Sequence, residues 1–286
     1  MRRHEWPLVV FTILGQTAAG LTLFLLVPLY FLPELTLARD LRPMRLAVDL
    51  AVLGLIGGAA LFSLFHLKHP GRAVRALANA GSSWLSKEIL ALVLFGGATA
   101  GLAILAWKAP TSPAAITLAV LVAAEAVAFV YSMARLYTQP AVPDWNSPAT
   151  AIAFFGTTVL LGSMLAALAA RGEIPRLTGL AGSPTAAILP KAALAAAGAI
   201  LLAAFLYSPR FGLRVKRDTP RVYTPNPRLV PIFAARIVLL ALAVALWGLA
   251  TLQPGASAGP AWTGFAAAAV SEIIGRWLFY ALPDEL

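Results

Sequence analysis

The sequence contains no cysteine. Its absence removes thiolate metal sites, iron–sulfur ligation, disulfides and cysteine nucleophiles from the chemistry open to this protein. Histidine is nearly absent too. His4, His66 and His69 are the only three, and none falls in the middle of a long apolar stretch. Charge is also sparse: 12% of the residues are Asp, Glu, Lys or Arg, where a soluble domain carries about a quarter. No stretch is long and polar enough to form a soluble enzyme domain beside a single anchor. The opening Met1-Arg-Arg-His-Glu-Trp-Pro carries no small-residue cleavage pattern, so no signal peptide is expected.

Apolar residues fill the space left by these shortages. Of 286 residues, 60% are hydrophobic, and the mean hydropathy is +0.81. Long apolar runs recur along the whole length, the pattern of a multi-pass membrane protein. Eight stretches come near the ~20 residues needed to cross hydrocarbon: 7–32, 46–66, 85–107, 114–137, 149–170, 186–207, 232–251 and 262–282. They are continuous and rich in Leu and Ala, without the alternation of a barrel strand, and lipid leaves helices or closed barrels as the only spanning structures. The expected fold class is therefore all-α: one domain over 1–286, a bundle of eight transmembrane helices with both termini on the same side. The pairs Gly54/Gly58 and Gly97/Gly101 predict close helix contacts.

The charges are unevenly divided. The side holding the termini, here the N face, also holds the ends of the even-numbered spans. Of the 22 Lys and Arg residues, Arg39, Arg42, Arg45, Lys108, Arg171, Arg176 and Lys191 fall toward the opposite face and the rest fall toward the N face. The positive-inside rule makes the N face cytoplasmic. The Pro-rich segment 208–231 supplies the largest basic block, and a docked protein would explain its charge equally well. The net charge of +10 speaks of lipid, topology or an acidic partner rather than nucleic acid.

Polar residues at span ends carry the functional signal. His66 closes the second span and Glu88 opens the third, so both lie near one membrane surface. A His and a carboxyl group there can exchange protons with a quinone head group while its tail stays in lipid. The plainer alternative makes Glu88 part of a helix start with Ser82, Ser83 and Ser86 and His66 a loop residue bonded to backbone. Further groups gather on the N face: His4 and Glu5 before the first span, Arg135 and Tyr137 closing the fourth, and Arg236 opening the seventh. Glu272 and Arg276 stand one turn apart in the eighth, close enough to pair in a structural salt-bridge layer. Glu125, near the middle of the fourth span, suits a proton path or a hydrogen-bonded packing role. A haem with two axial histidines is not expected, because all three histidines fall near one surface and none is mid-span.

Six motifs in order then carry a resemblance: "HEWPLVVFTILGQTAAG" from His4, "LFHLKHPGRA" at 64–73, "LSKEI" at 85–89, "RLYTQP" at 135–140, "RIVLLALAVALW" at 236–247 and "EIIGRWLFY" at 272–280. Over nearly its whole length the sequence resembles the DmsC family, the membrane anchor subunits of dimethyl-sulfoxide-reductase-type molybdenum enzymes. The resemblance implies a menaquinone- or ubiquinone-reactive anchor in the inner membrane, working in anaerobic respiration, with no haem of its own. It implies two partners: a catalytic subunit with a molybdenum bis-pterin cofactor, and an electron-transfer subunit with [4Fe–4S] clusters. The family's quinol-associated histidine and glutamate fall on His66 and Glu88, and the Arg after the Pro-Gly of the same loop falls on Arg72. Arg2, Arg3, Arg75, Arg210, Arg214, Lys216 and Arg217 become candidates for partner docking, and Arg135, Arg236, Glu272 and Arg276 for a structural polar layer. The anchor itself would not transform the complex's substrate. The charge asymmetry argues for catalytic subunits in the cytoplasm, whereas exported relatives place theirs outside, so a cytoplasmic-facing oxidising complex of the sulfite or aryl-acetyl-CoA type stands as an expectation beside a terminal reductase. A small secondary transporter or a purely structural tether are the readings from other classes.

Overall fold

A computed structural model describes residues 6–31, 41–65, 79, 81–138, 145–178, 184–206, 229–253 and 258–281. Every long element among them is a helix. The first, α1, runs over Trp6–Phe31. It is followed by α2 (Arg42–Phe65), α3 (Trp84–Lys108), α4 (Pro113–Tyr137), α5 (Pro148–Thr178), α6 (Pro184–Leu206), α7 (Val230–Leu252) and α8 (Ala258–Ala281). Six are long and apolar enough to cross a membrane: α1 to α4, α5 over Pro148–Arg171, and α7. In α6 the apolar stretch is shorter, Ile188–Ala204, and α8 carries Glu272 and Arg276.

Local sequence explains the helix ends. Ser83 caps α3 by accepting a bond from the Ser86 N–H at 3.4 Å, and Ser112 caps α4 by accepting from the Ala115 N–H at 3.2 Å; each satisfies one of the donors that a helix start leaves orphaned. Pro113 occupies the first position of α4, where a missing N–H costs nothing. Pro28 sits inside α1, where its ring would clash with the preceding turn. The helix widens just before it into a π turn over Thr22–Leu26, in which the Val27 N–H reaches the Thr22 carbonyl at 2.9 Å. Beyond the proline, the orphan Leu29 carbonyl accepts from Arg45 Nε at 3.2 Å and Nη2 at 2.8 Å. A basic side chain of α2 thus closes the end of α1.

The bundle is built around α1 and α5. Within their apolar windows 72% of α1 and 61% of α5 are buried, against 17% of α7. α1 packs against α2, α4, α5 and α8, while α7 pairs closely with α8 and α3 with α4. The outer faces stay apolar: Leu252, Val238, Phe65 and Trp107 are among the most exposed side chains, the arrangement that lipid favours.

The close helix contacts fall elsewhere than the sequence pairs suggest. Gly54 and Gly97 face outward, and a Cβ on either would meet nothing. Gly58 and Gly101 meet only the ends of leucine side chains, Leu14 and Leu118. The backbones themselves meet at Gly20 and Gly162, where α1 crosses α5. A Cβ on Gly20 would strike the Thr158 carbonyl and Gly162 Cα, and one on Gly162 would strike the Gly20 backbone. Spacing alone does not tell which face of a helix is turned inward. Gly20→Val and Gly162→Val are expected to cost at least the ~1–3 kcal/mol of an overpacked core, read as a lower melting point in detergent. Gly97→Ala should leave the melting point unchanged or raise it, since it removes a glycine from an open helix position.

Candidate functional site

Polar side chains near the starts of α3, α5 and α7 and the ends of α4 and α8 converge inside the bundle. Arg236 of α7 donates from Nη2 to Glu272 Oε1 of α8 at 3.1 Å, and both are buried. The Thr157 hydroxyl of α5 donates to the other Glu272 oxygen. Arg236 is also held by its backbone, whose carbonyl accepts from Ser271 Oγ at 3.1 Å. Gly275 makes room for this arginine, since a Cβ there would collide with the guanidinium.

Glu272 thus goes to Arg236 on the neighbouring helix, and not to Arg276 one turn away. Arg276 reaches from Nη2 across to Gln16 Oε1 of α1 at 3.0 Å. Its guanidinium carbon lies 3.7 Å from the centre of the Phe154 ring and 5.7 Å from that of Phe279. A desolvated guanidinium over an aromatic face gains about 2 kcal/mol. The reason for the difference is geometric. The bundle interior presents partners from other helices, and two charges stacked on one helix face would leave those partners unpaired.

Beside Arg276 lies an aromatic cluster. The Tyr280 hydroxyl of α8 and the Tyr137 hydroxyl of α4 are hydrogen-bonded at 3.0 Å. The Tyr137 ring packs against Trp145, Phe154 and Phe279 with centroids 5.3–5.5 Å away, and Trp145 stacks on Phe279 while its Nε1 donates to the Phe279 carbonyl at 2.9 Å. Such edge and offset contacts add stability beyond area burial.

Glu88 is the acid that enters this cluster from α3. It is only 4% exposed, and its Oε1 has no hydrogen-bond partner among the described residues. It lies within electrostatic reach of both Tyr137 and Tyr280. The helix cap is made by Ser83 and not by Glu88, which stands a full turn further in. Gln16 Nε2, Arg236 Nε and Arg276 Nε are likewise buried without a partner among the described residues. Several helices therefore aim unsatisfied polar atoms into one region, and buried groups of this kind ordinarily meet water or a ligand.

Other anticipated residues stand apart. Arg135 is exposed and lies over the Trp84 ring at 5.2 Å. Glu125 is half-buried at mid-span and makes no side-chain hydrogen bond among the described residues, so the hydrogen-bonded packing role has no counterpart there. His66, Arg72, Arg75, Arg2, Arg3, Arg210, Arg214, Lys216 and Arg217 lie outside the described residues. Gln16, Thr157 and Tyr280 belong to the cluster although none of them was given a role on sequence grounds; Gln16 and Tyr280 fall inside the quoted motifs. The "GQT" of α1 did carry a signal, because a glutamine inside an apolar span needs a partner. Among the described residues no cluster of His, Asp and Glu could hold a metal ion.

Breaking the buried pair should be costly. Arg236→Met leaves Glu272 buried without its cation, and a loss of about 3–5 kcal/mol is expected. The double variant R236M/E272L should recover much of it. Thermal unfolding in detergent checks both, and equal losses in the single and double variants would contradict the pairing.

The similarity to known proteins extends over the whole bundle. The family profile described as "DMSO reductase anchor subunit (DmsC)" matches residues 1–282. The sequence is 32% identical to the C subunit of anaerobic dimethyl sulfoxide reductase from Escherichia coli (strain K12), over 98% of its own length and 95% of the relative. It is 31% identical to the YnfH subunit of anaerobic dimethyl sulfoxide reductase from the same organism over the same shares. It is 33% identical to the corresponding C subunit from Haemophilus influenzae over 57% of each sequence. With a match that runs from the first span to the end of α8, the protein belongs to the DMSO reductase anchor subunit family.

Proposed function

We propose that this protein is the quinone-reactive membrane anchor of an oxidoreductase whose partner subunits carry a molybdenum bis-pterin cofactor and [4Fe–4S] clusters. Family membership supports the anchor role. The observation that carries the quinone reading is Glu88, a carboxyl group buried at the N-face edge with one oxygen unpartnered among the described residues and a hydrogen-bonded tyrosine pair in electrostatic reach. Oxidation of a quinol releases two electrons and two protons, and reduction of a quinone takes up the same. A carboxyl group at that edge can accept or deliver one of those protons, and the tyrosine hydroxyls can orient a ring oxygen. His66 and Arg72, which stand between α2 and α3 in the sequence, complete the proposed site: the histidine as the second proton-exchanging group, the arginine steadying the ring or its own segment.

In this reading all eight helices cross the inner membrane, with both termini on the N face. The basic residues Arg2, Arg3, Arg75, Arg210, Arg214, Lys216 and Arg217 meet an acidic surface of the iron–sulfur subunit there. The polar layer of Arg236, Glu272 and Arg276 holds the helix ends in register without entering the chemistry. The anchor carries no haem, so electrons pass directly between the quinone and the partner's clusters. Their direction follows from the reaction of the catalytic subunit, reductive or oxidative. The distribution of Lys and Arg favours a cytoplasmic N face.

Glu88→Gln and His66→Asn, in the intact complex, test the site. Each is expected to lower quinol-linked turnover by about a hundredfold, the scale of a lost general acid or base, while turnover with an artificial dye stays near the unaltered level. If quinol turnover survives both changes in complexes that keep their molybdenum and iron, the site is elsewhere. Orientation has its own test: a C-terminal fusion to an enzyme active only outside the cytoplasm should give no signal, and a strong one reverses the sidedness.

A further inference from the structure

Outside the polar layer, α4 and α5 leave a groove between them at their N-face ends. It encloses about 420 Å³ and is open on one side. Its lining divides by chemistry. Arg135, Thr138, Asn146 and Ser147 lie at the helix ends, and Ala151 and Phe155 follow one and two turns further along α5. The exposed Tyr131 forms part of the α4 wall one turn in from Arg135. One turn further in than Tyr131 along α4, Val127 is an exposed apolar side chain. The groove thus has a polar, cationic end at the membrane edge and an apolar end in the hydrocarbon.

Arg135 is what needs explaining. It is exposed and forms no ion pair among the described residues. Its guanidinium lies over the face of Trp84, which Lys87 shares from 4.2 Å. It stands two residues from Tyr137, too few to share that residue's helix face, so it takes no part in the cluster around Glu88. Trp84 and Tyr131 pack edge to face with centroids 5.9 Å apart. Tryptophan and tyrosine gather at the headgroup level of a bilayer. Two cations and two interfacial aromatics are therefore fixed at that level, beside a cavity with an apolar lower half. A basic recess between membrane helices is the chemistry that holds an anionic lipid headgroup. A guanidinium matches a phosphate diester better than an ammonium does, because it can donate two parallel hydrogen bonds.

We propose that the α4–α5 groove is a binding site for an anionic phospholipid, with the phosphate on Arg135, the polar headgroup against Thr138, Asn146 and Ser147, and an acyl chain along Ala151 and Phe155. Lys87 adds charge from the α3 side. The lipid covers the seam between the two helices, next to the aromatic cluster that closes the N-face end of the bundle.

Native mass spectrometry of the full-length protein, released with its co-purifying subunits from nanodiscs of mixed phosphatidylglycerol and phosphatidylcholine, tests the site. The unaltered protein should retain phosphatidylglycerol in preference to phosphatidylcholine. Arg135→Gln should lower that retention about fivefold, the effect of one basic residue at an anionic membrane surface, and Arg135→Lys should keep part of it. Ala151→Trp fills the apolar half while leaving Arg135 in place, and it should also displace the lipid. Equal retention in R135Q, equal retention of the two lipids, or unchanged retention in A151W would each overturn the proposal. So would displacement of the lipid by millimolar inorganic phosphate, which would mark a free-anion site. A photo-crosslinker placed at Tyr131 should capture lipid, and capture of a soluble subunit instead would make the groove a protein interface.

Discussion

The backbone contact of Gly20 with Gly162 is the constraint on which the other helices depend. Lipid supplies no hydrophobic drive between apolar helices, so association rests on close packing and on polar partners. Where α1 meets α5 without side chains between them, the Thr158 carbonyl also lies against Gly20. Gln16 is four residues before Gly20, and Thr158 is four before Gly162. With these two helices in contact, α8 can set Arg276 against Gln16 on one side and Phe154 on the other, and Glu272 against Thr157.

The polar layer then follows from the cost of charge in a low-dielectric interior. An arginine or glutamate inside a span is tolerated when it faces the bundle and finds partners there. Arg236, Glu272 and Arg276 each do so, but through other helices rather than through each other along α8. The layer therefore ties α1, α5, α7 and α8 together at one end. Its energetic worth lies less in the net stability of the pairs than in the penalty for any arrangement that leaves a charge alone. That penalty fixes register and rotation in helices whose apolar surfaces would otherwise slide.

Glu88 differs from these residues because its needs are not fully met. The layer beside it is well supplied with donors, yet its Oε1 stays unpartnered among the described residues. The proposed proton exchange with a quinone rests on this unmet bond of a buried carboxyl group. The same end of the bundle also bears the Arg135 groove on its outer side, so the proposed proton-exchanging chemistry inside and the proposed lipid contact outside share one membrane level.

Composition alone determined that this is an all-helical membrane protein, because 60% hydrophobic residues in runs of about 20 leave no other way to satisfy the backbone in lipid. Through Ser83, Ser112, Pro113 and the proline- and charge-rich gaps, the sequence also placed the helix boundaries within about four residues, except at the end of α5, which runs on to Thr178 where the apolar run predicts a stop at 170. It also led to the expectation that His66 and Glu88 share one edge, an expectation that lies outside the described residues for His66. It did not determine which way each helix is turned. Small-residue spacing suggested Gly54 and Gly97 as contact points, yet both face outward, and the true crossing uses Gly20 and Gly162. The i, i+4 spacing of Glu272 and Arg276 suggested a pair, yet each is claimed by another helix. Rotation about the helix axis is settled by partners far away in the sequence: Arg276 and Gln16 are 260 positions apart. Only the tertiary structure could decide it.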